Sequence, residues 1–474
     1  MRTLAELAAW WGLDTDASGS VSRVVADSRE VRAGDLFLAL PGAHVHGSRF
    51  AQQALQAGAV AVLSDRPVPG QDRVLVVPDL AARLAEFVRW FYSAPDARLK
   101  VVGVTGTNGK SSTVWYAAQM LTALDHRVGV IGTLGYGLWP RLQAGANTTP
   151  DVVRLYGLLH DFLEAGVDTV LMEVSSHAIA MGRIDGLQFE GVALTQMTRD
   201  HLDFHGTLEA YHATKARLFI DWPSCWQVLN VDDAQGAALV QKVAHPVTYG
   251  HHAADWRCNA LSAGQTGLSG RVAHKNKVFA CKTSLYGRYN AENMLCASAI
   301  VEKVGDPPVG RWETLWQMLE PVEGRMERIA DKPNVFIDYA HTPDALEAVL
   351  NSLREHFPER TLWVVFGAGG GRDQGKRPLM GAVADRLADR IILTSDNPRC
   401  EDPEQIIHEI AAGIKTHSYK TFPNRARAIQ TALQCAGPDD VVLIAGKGHE
   451  SWQEFCGERV PFSDKDEALK WVKG

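Results

Sequence analysis

The stretch Lys100-Val-Val-Gly-Val-Thr-Gly-Thr-Asn-Gly-Lys110-Ser111-Ser112 decides the fold of this chain. An apolar strand runs into a glycine loop that opens a helix, so backbone N–H groups and the helix N-terminus can hold phosphate. We expect Lys110 to reach the terminal phosphates and Ser111 to bind Mg²⁺. The spacing departs from the strict P-loop pattern, because Gly103 lies one residue too far from Lys110. A chance glycine loop is the alternative.

The regions around this loop indicate an α/β protein of several domains. Apolar runs at 128–132, 169–174, 191–195 and 227–231 alternate with helical patterns, which predicts parallel βαβ units. A chain of 474 residues is long enough for about three domains. Polar, proline-containing connections lie at 93–98 and 321–333. They predict domains at 1–98, 99–331 and 332–474.

Composition narrows the possible functions. Apolar residues make up 46% of the chain and charged residues 22%, which predicts that it folds throughout. The 48 Lys and Arg against 55 Asp and Glu give a net charge of -7, which disfavours nucleic-acid binding. The seven scattered cysteines never form CxxC, which favours reduced thiols in the cytoplasm over a zinc site or disulfide framework. We find no signal peptide, and no apolar run reaches the roughly 20 residues of a membrane span.

The last section of the chain contains a regular pattern. Apolar runs at 335–337, 361–366, 390–394 and 441–444 each end in a polar or glycine-rich cluster: DYAHTPD, GAGGGRDQGKR, SDNPR and AGKGHE. Ligands of open α/β sheets bind outside the carboxyl ends of the strands. We therefore predict that the four clusters line one crevice, although ordinary polar turns would explain one or two of them.

Two acidic or histidine-rich features follow the glycine loop. Glu173 ends the strand expected at 169–174, where a P-loop protein needs a second contact to Mg²⁺; a solvated strand end is the alternative. The stretch Thr198-Arg-Asp-His-Leu-Asp-Phe-His205 holds two His and two Asp within eight residues. It is consistent with a metal or phosphate contact and equally with a polar loop.

Lys215 breaks the pattern of its helix. In the helix expected at 207–220, apolar side chains such as Tyr211 and Leu218 mark one face, and Lys215 falls at its centre. One explanation is that the aliphatic stem packs while the ammonium reaches water, and the periodicity alone favours it. The other is a buried lysine that has lost its proton and become reactive.

Many strings of the chain occur in the order typical of one family. They are ADSREVRAGDLFLALPG, VTGTNGKSS, NTTPD, MEVSSHA, TRDHLDFHG followed by YHATKARLF, GRYNAEN, GRME, DYAHTPDAL, GGGRDQGKRP, SDNPR and AGKGHE. Over essentially the whole chain they resemble the Mur ligases. The resemblance implies a UDP-MurNAc-binding N-terminal domain, a central P-loop ATPase domain and a Rossmann-like C-terminal domain that brings the amino acid.

The resemblance also implies roles for particular residues. Four would be catalytic: Lys110, Glu173, His201 and Lys215. Of these, Glu173 and His201 would contact metal with Ser111, and Lys215 would be carbamylated to bridge a second Mg²⁺. The ATP site would comprise Gly106, Thr107, Asn108, Gly109, Lys110, Ser111, Ser112, Asn293, Arg325, Asp338 and His341. The UDP-sugar site would comprise Ser28, Asn147, Thr148, Thr149, Ser175 and Arg183. The amino-acid pocket would comprise Arg372, Asp396, Asn397, Pro398, Arg399, Gly446 and Glu450.

The implied activity is an ATP-dependent ligation in cytoplasmic peptidoglycan precursor synthesis. It would join meso-diaminopimelate to UDP-N-acetylmuramoyl-L-alanyl-D-glutamate through an acyl phosphate. Meso-diaminopimelate carries a second carboxylate that lysine lacks, so Arg399 would bind it and Glu450 would pair with the distal ammonium. The alternatives are a lysine-adding sister ligase, an enzyme similar to folylpolyglutamate synthase, and a non-catalytic nucleotide-binding regulator. We expect only small-molecule partners and a monomer.

Three positions depart from the family pattern. His46 stands before Gly47 where the family usually has Asp, Gln196 stands where Asn is common, and Met181 stands where Gln is frequent. These departures affect contacts to the UDP-sugar and the surroundings of the metal. None of them removes a group with a charge-bearing role.

Overall fold

The computed structural model describes residues 1–14, 18–42, 45–222 and 224–472. Within those ranges the strands form sheets of four, ten and six strands, together with two short two-stranded ribbons. The three larger sheets follow one another along the chain, which agrees with the α/β fold expected from the sequence. Each has its own buried apolar side chains.

The N-terminal part is a small α/β unit. Its strands are β1 (Arg2–Thr3), β2 (Ser20–Val21), β3 (Arg23–Val25), β4 (Asp35–Ala39), β5 (Ala61–Ser64) and β6 (Val74–Val76). Its helices are α1 (Leu4–Trp10), α2 (Ala51–Gln56) and α3 (Leu84–Phe91). Strands β3 to β6 pair in parallel in chain order. Helix α1 begins at a capping box, in which Thr3 and Glu6 satisfy each other's backbone N–H groups.

The central part contains the ten-stranded sheet. Its strands are β7 (Lys100–Thr105), β8 (Val128–Gly132), β9 (Gly135–Leu138), β10 (Thr169–Glu173), β11 (Phe189–Leu194), β12 (Ser224–Asn230), β13 (Val247–Gly250), β14 (Trp256–Gly264), β15 (Gly267–His274) and β16 (Lys277–Thr283). Its helices are α4 (Lys110–Thr122), α5 (Val152–Glu164), α6 (Ser176–Ala180), α7 (Leu202–His205), α8 (Leu208–Ile220), α9 (Ala234–Val240), α10 (Arg288–Gly305) and α11 (Trp312–Gln317). Strand β7 lies between β11 and β10, and both pair with it in parallel. The glycine loop therefore leaves the middle of the sheet.

Helix α10 packs against α4 and carries two polar side chains with defined surroundings, Asn293 and Glu302. Asn293 is buried near the start of α10. Glu302, near its end, accepts hydrogen bonds from Trp256, His274 and Lys275. The helix therefore joins the phosphate-binding region to the far antiparallel strands.

The C-terminal part contains the six-stranded sheet. Its strands are β17 (Glu327–Asp331), β18 (Asn334–Asp338), β19 (Leu362–Phe366), β20 (Arg390–Thr394), β21 (Tyr419–Phe422), β22 (Val441–Ala445), β23 (Trp452–Phe455) and β24 (Glu458–Pro461). Its helices are α12 (Pro343–His356), α13 (Lys376–Leu387), α14 (Pro403–Ala411), α15 (Arg425–Cys435) and α16 (Asp464–Leu469). The sheet order is β17, β18, β22, β19, β20, β21, parallel except for β17. Strands β23 and β24 form a separate hairpin.

A buried ion pair lies at the carboxyl ends of two strands of this last sheet. Arg425 and Asp464 are both fully buried, and the guanidinium donates to the carboxylate at 2.6 and 2.7 Å. Arg425 also donates to the carbonyls of Ser395 and Ala445, at the ends of β20 and β22. The pair therefore fixes the strand ends from which the candidate pocket is built.

Five of the predicted strands are present at the expected places. Strands β8, β10, β11, β12 and β22 match, in that order, the apolar runs at 128–132, 169–174, 191–195, 227–231 and 441–444. Strand β17 precedes the boundary predicted after residue 331, yet it pairs with β18 in the third sheet. The domain limits at 98 and 331 stay predictions. No helix in the described ranges combines the length and the apolar character needed to cross a bilayer.

Candidate active site

The glycine loop joins β7 to α4 and depends on two glycines. Gly106 has φ +150° and Gly109 has φ +86°, a region that other residues rarely adopt. A Cβ at Gly106 would collide with the Thr195 hydroxyl, and one at Gly109 would collide with the Asn293 amide oxygen. The loop backbone therefore lies against the end of β11 and against α10.

Lys110 folds back over the loop. Its ammonium donates to the carbonyl of Gly106 at 2.8 Å and to that of Thr107 at 2.9 Å. Ser111 and Ser112 are buried in the first turn of α4. A cation, two hydroxyl groups and a helix N-terminus therefore lie together at the loop. These are the groups that bind phosphate in proteins.

Lys215 is buried, so the explanation in which its ammonium reaches water is wrong. The side chain is 2% exposed, and its nitrogen donates to the Gly106 carbonyl at 2.9 Å. Lys110 donates to the same carbonyl. Burial first, and the nearby charge of Lys110 second, lower the pKa of Lys215 well below its ordinary value. This lysine therefore has the environment of a reactive neutral amine.

Glu173 is held at the end of β10. The carboxylate accepts hydrogen bonds from the N–H of Thr133 at 2.9 Å and from its hydroxyl at 3.1 Å. That hydroxyl also lies 3.0 Å from the hydroxyl of Thr148 in the NTTPD string. Glu173 is buried, so the solvated-end alternative is wrong. Thr133 is a positioning residue that the sequence analysis did not identify.

His201 begins the short helix α7 with a left-handed backbone, at φ 51°. Its ring lies edge-on to His177, with 4.7 Å between centroids, and 3.4 Å from the carboxylate of Asp200. Desolvation lowers the pKa of His201, with the Asp200 charge opposing it. The ring is therefore neutral at pH 7 and can serve as a ligand.

The predicted nucleotide residues come from α10 and from the segments around β17 and β18. Asn293 contacts Gly109 from α10, as described above. Arg325 lies over the Tyr339 ring at 4.2 Å, and its buried Nε has no hydrogen-bond partner among the described residues. Both oxygens of the buried Asp338 accept backbone N–H groups, and burial raises its pKa. His341 is exposed at the end of β18.

Most of the predicted UDP-sugar residues form one connected group. The buried Thr149 hydroxyl donates to the Glu173 carbonyl at 2.8 Å and accepts from the Ser175 N–H at 3.1 Å. Arg183 donates to the Thr149 carbonyl at 3.0 Å. Asn147 is exposed. Ser28 lies in the N-terminal part, in a short helical turn that Asp27 caps. Within the described ranges, no hydrogen bond links Ser28 to the connected group.

The positions that depart from the family pattern also have defined contacts. His46 Nε2 lies 3.1 Å from the carboxylate of Asp65. The Gln196 carbonyl accepts the Thr107 N–H at 2.6 Å, so its backbone supports the glycine loop. Met181 is 57% exposed and its sulfur lies 3.5 Å from the Arg183 guanidinium.

The four C-terminal clusters meet, as predicted. Lys376 of the glycine-rich cluster donates to the His341 carbonyl at 2.8 Å. The Gly370 N–H donates to the Asn397 carbonyl at 2.9 Å, and Asn397 donates through its amide to Glu450 at 2.8 Å. The ends of β18, β19, β20 and β22 therefore line one crevice.

Lys447 organises the centre of this crevice. It is fully buried, and its ammonium donates to Glu450 at 2.9 Å and to the Asn397 side-chain oxygen at 3.2 Å. The backbone N–H of Glu454 donates to the same oxygen at 3.1 Å. These bonds fix which way the Asn397 amide points. The sequence analysis missed Lys447, although the AGKGHE string contains it three residues before Glu450.

Arg399 lies at the edge of the crevice. Its guanidinium donates to the Gly370 carbonyl at 2.5 Å and lies 3.4 Å from Glu454. Both side chains of this ion pair are partly exposed. Arg372 is exposed on the glycine-rich cluster, and Pro398 is buried between Asn397 and Arg399.

Gly446 allows an acidic side chain to approach the crevice floor. It has φ +115°, and a Cβ there would lie 2.5 Å from Oδ2 of Asp396. That oxygen is buried and has no hydrogen-bond partner in the part of the chain that the structure describes. The crevice therefore combines an arginine with acceptors for ammonium groups, which suits an amino acid.

A glycine loop between a central parallel strand and a helix, with a lysine folded over it, is typical of nucleotide-using α/β enzymes. Three family models match: Mur ligase family, catalytic domain, at 20–92; Mur ligase middle domain at 104–301; and Mur ligase, glutamate ligase domain, at 324–448. The chain belongs to the Mur ligase family.

The names of individual relatives are more specific than the descriptions of the family models. A UDP-N-acetylmuramoyl-L-alanyl-D-glutamate--2,6-diaminopimelate ligase of Pseudomonas syringae pv. tomato is 43% identical over 96% of this chain and 95% of its own length. A solved structure of an enzyme with that name is 35% identical, with a TM-score of 0.69 over 99% of this chain and 98% of its own. MurF of Thermotoga maritima in complex with ADP has a TM-score of 0.70 at 18% identity, covering 95% of this chain and 97% of its own, and shares the fold.

Proposed function

We propose that this protein uses ATP to join meso-diaminopimelate to UDP-N-acetylmuramoyl-L-alanyl-D-glutamate, in cytoplasmic synthesis of peptidoglycan precursors. One observation carries the choice of amino acid: Arg399 and Glu450 follow the ends of β20 and β22, the two parallel strands on either side of β19, and both contact the crevice. The names of the relatives support the same reaction. The protein acts on small molecules alone and is a monomer.

The chemistry is the activation of a carboxylate. The free D-glutamate carboxylate attacks the γ-phosphate of ATP, ADP leaves, and an acyl phosphate forms. The amine of the incoming amino acid then attacks the acyl carbon, and phosphate leaves as the amide forms. Lys110 neutralises phosphate charge and the glycine loop positions the nucleotide, since phosphoryl transfer depends mainly on positioning and electrostatics.

The residues of the central domain suit Mg²⁺. Ser111 and Glu173 present oxygen donors beside the loop, and His201 presents a neutral ring nitrogen. Among the residues described, no three His, Cys, Asp or Glu side chains are grouped for a metal, so in this proposal phosphate and water supply the remaining ligands. Bound there, Mg²⁺ would neutralise charge on the transferring phosphoryl group.

Lys215 is the residue that we propose becomes a carbamate. Its neutral amine would attack CO₂ and lose a proton, which converts a buried cation into a carboxylate-like anion. The lowered pKa supplies the neutral amine that this addition requires. The product would add an anionic group at the Gly106 carbonyl, which Lys110 also contacts.

The C-terminal crevice would select the amino acid. Arg399 would exchange its Gly370 and Glu454 contacts for the distal carboxylate of meso-diaminopimelate, and Arg372 would meet the other carboxylate. Glu450 and Asp396 would accept the ammonium groups. Lysine would leave the Arg399 charge without its carboxylate, so we expect lysine to be a poor substrate.

The proposal is tested by phosphate release from ATP in the presence of UDP-MurNAc-L-Ala-D-Glu and a panel of amino acids. We expect release with meso-diaminopimelate and little with lysine. Equal turnover of the two would favour the lysine-adding alternative, and no turnover with any amino acid would favour the non-catalytic regulator. Lys110→Ala should abolish release while UDP-sugar binding persists.

A further inference from the structure

Two cysteines flank the arginine of the proposed amino-acid pocket. Arg399 forms an isolated parallel bridge with Phe455: its N–H donates to Glu454 at 3.0 Å, and its carbonyl accepts the N–H of Cys456 at 2.9 Å. Cys400 follows Arg399 directly in the chain. Cys456 is therefore bonded through its backbone to the residue that directly precedes Cys400.

One backbone hydrogen bond, from Cys456 to Arg399, holds the segments that carry the two cysteines together. Cys456 lies in the tight turn that follows β23. A disulfide spans Cα separations of roughly 4.4–6.8 Å. Both cysteines are free and exposed. A hydrogen bond with the Cys456 thiol raises the pKa of the Cys400 thiol, in agreement with this proximity.

We propose that Cys400 and Cys456 are a modification site: a dithiol that peroxide oxidises to a disulfide at the edge of the amino-acid pocket. This inference rests on the proposed function only for its effect on catalysis. The remaining exposed thiols, Cys225 on β12 and Cys435 on α15, lie on other elements and serve as internal references.

The reaction balances with hydrogen peroxide as the oxidant. One thiolate attacks a peroxide oxygen, which gives a sulfenic acid and releases hydroxide. The second thiol attacks the sulfenic sulfur, the S–S bond forms, and water leaves. The two thiols lose two electrons and two protons, and the peroxide becomes two molecules of water. A reducing thiol such as dithiothreitol reverses the change by exchange.

The disulfide would act on the pocket through Arg399. To bind a distal carboxylate, the Arg399 guanidinium must release the Gly370 carbonyl and Glu454, and in this proposal the Arg399 backbone shifts against the hairpin of β23 and β24 as it does so. A covalent link between Cys400 and Cys456 opposes that adjustment. We expect KM for meso-diaminopimelate to rise roughly two- to tenfold, the size of one lost hydrogen bond, with KM for ATP unchanged.

The site is tested on the full-length protein with hydrogen peroxide, alkylation of the remaining thiols, and non-reducing peptide mass spectrometry. We expect a peptide pair linking Cys400 to Cys456 that disappears after dithiothreitol. A Cys225→Ser/Cys435→Ser background removes competing exposed thiols. Crosslinks confined to other cysteines, or oxidation of Cys400 and Cys456 only to sulfinic acid, would overturn the proposal. This readout does not depend on the ligase reaction.

The catalytic effect is tested by kinetics before oxidation, after it, and after reduction. Oxidation should raise KM for meso-diaminopimelate, reduction should restore it, and Cys400→Ser and Cys456→Ser should each be insensitive to peroxide. An unchanged KM in protein shown by mass spectrometry to be crosslinked would overturn the link to the pocket. Absence of ligase activity in the reduced protein would instead count against the proposed function.

Discussion

Replacing Lys447 with methionine tests whether the crevice is organised by a buried cation. Lys447 touches no substrate in our proposal, yet it bonds both Asn397 and Glu450. Methionine has a similar length and keeps the apolar packing, but it removes the charge and every donor. The Glu450 carboxylate would then lose its cation and could turn away from the position in which it meets the ligand ammonium.

The expected magnitude follows from the bonds that are lost. A hydrogen bond to a charged group contributes about 1.5–3 kcal/mol, and the loss of one such interaction lowers kcat/KM roughly 10- to 150-fold. Glu450 is partly shielded from water, with 19% of its side chain exposed, so solvent replaces the bond only in part. We therefore expect kcat/KM for meso-diaminopimelate to fall within this range.

Steady-state kinetics with each substrate varied in turn would measure the effect. The loss should appear with meso-diaminopimelate, while the affinity for ATP stays within about twofold, because Lys447 lies in the C-terminal crevice. Lys420→Met, on the exposed strand β21, is the matched control and should be neutral. A Lys447→Met enzyme with normal amino-acid kinetics, or one that loses ATP and amino-acid binding equally, would refute the positioning role.

Four further outcomes are expected. Lys215→Ala should lose activity that a small carboxylate partly restores, and ¹³CO₂ should label wild type but not the variant in carbon NMR; an unlabelled active enzyme would contradict the carbamate. Arg399→Ala should lower kcat/KM for meso-diaminopimelate roughly 10- to 100-fold without changing the Kd for ATP measured by calorimetry. Asp464→Asn leaves a buried guanidinium without its anion and should cost about 3–5 kcal/mol in denaturant unfolding, whereas the exposed Asp466→Asn should cost little; equal effects would argue against the ion pair. Burial raises the pKa of Glu302, but hydrogen bonds from a histidine and a lysine prevail and lower it from 4.5 to about 2, so its stabilisation should hold above pH 4.5 and disappear as the pH falls toward 2. Urea midpoints of wild type and Glu302→Gln should converge over that interval, and a constant difference would contradict this assignment.

The strands of the sheets could be predicted because the sequence pattern that indicates a strand lies within the strand itself and the residues that follow it. Apolar runs followed by glycine or polar clusters set the strands around β7 and the crevice at the ends of β18, β19, β20 and β22. The burial of the Lys215 ammonium could not be predicted from the sequence. Helical periodicity shows on which face a side chain lies, but it does not show what packs over the end of that side chain. The cover comes from the Gly106 carbonyl, more than 100 residues away in the chain.

Contacts between distant segments account for what the sequence analysis missed. Thr133 binds Glu173 across the pair of strands β8 and β10, which no motif records. Lys447 was inside a quoted string, but its role depends on Asn397, from a different strand end. Strand β17 was assigned to the linker, because its pairing with β18 depends on a turn rather than on a long apolar run.

The sharing of the Gly106 carbonyl by Lys110 and Lys215 imposes an order on assembly of the site. While both side chains are amines, burial and the charge of Lys110 disfavour protonation of Lys215, and a neutral Lys215 is available to CO₂. Once the carbamate that we propose has formed, the neighbour of Lys110 becomes an anion, and the repulsion between the two groups becomes attraction. Lys110 can then keep its full charge for an incoming triphosphate. We therefore expect dissolved CO₂ to act as a priming reagent, so that protein prepared without bicarbonate would show a lag in turnover that bicarbonate removes.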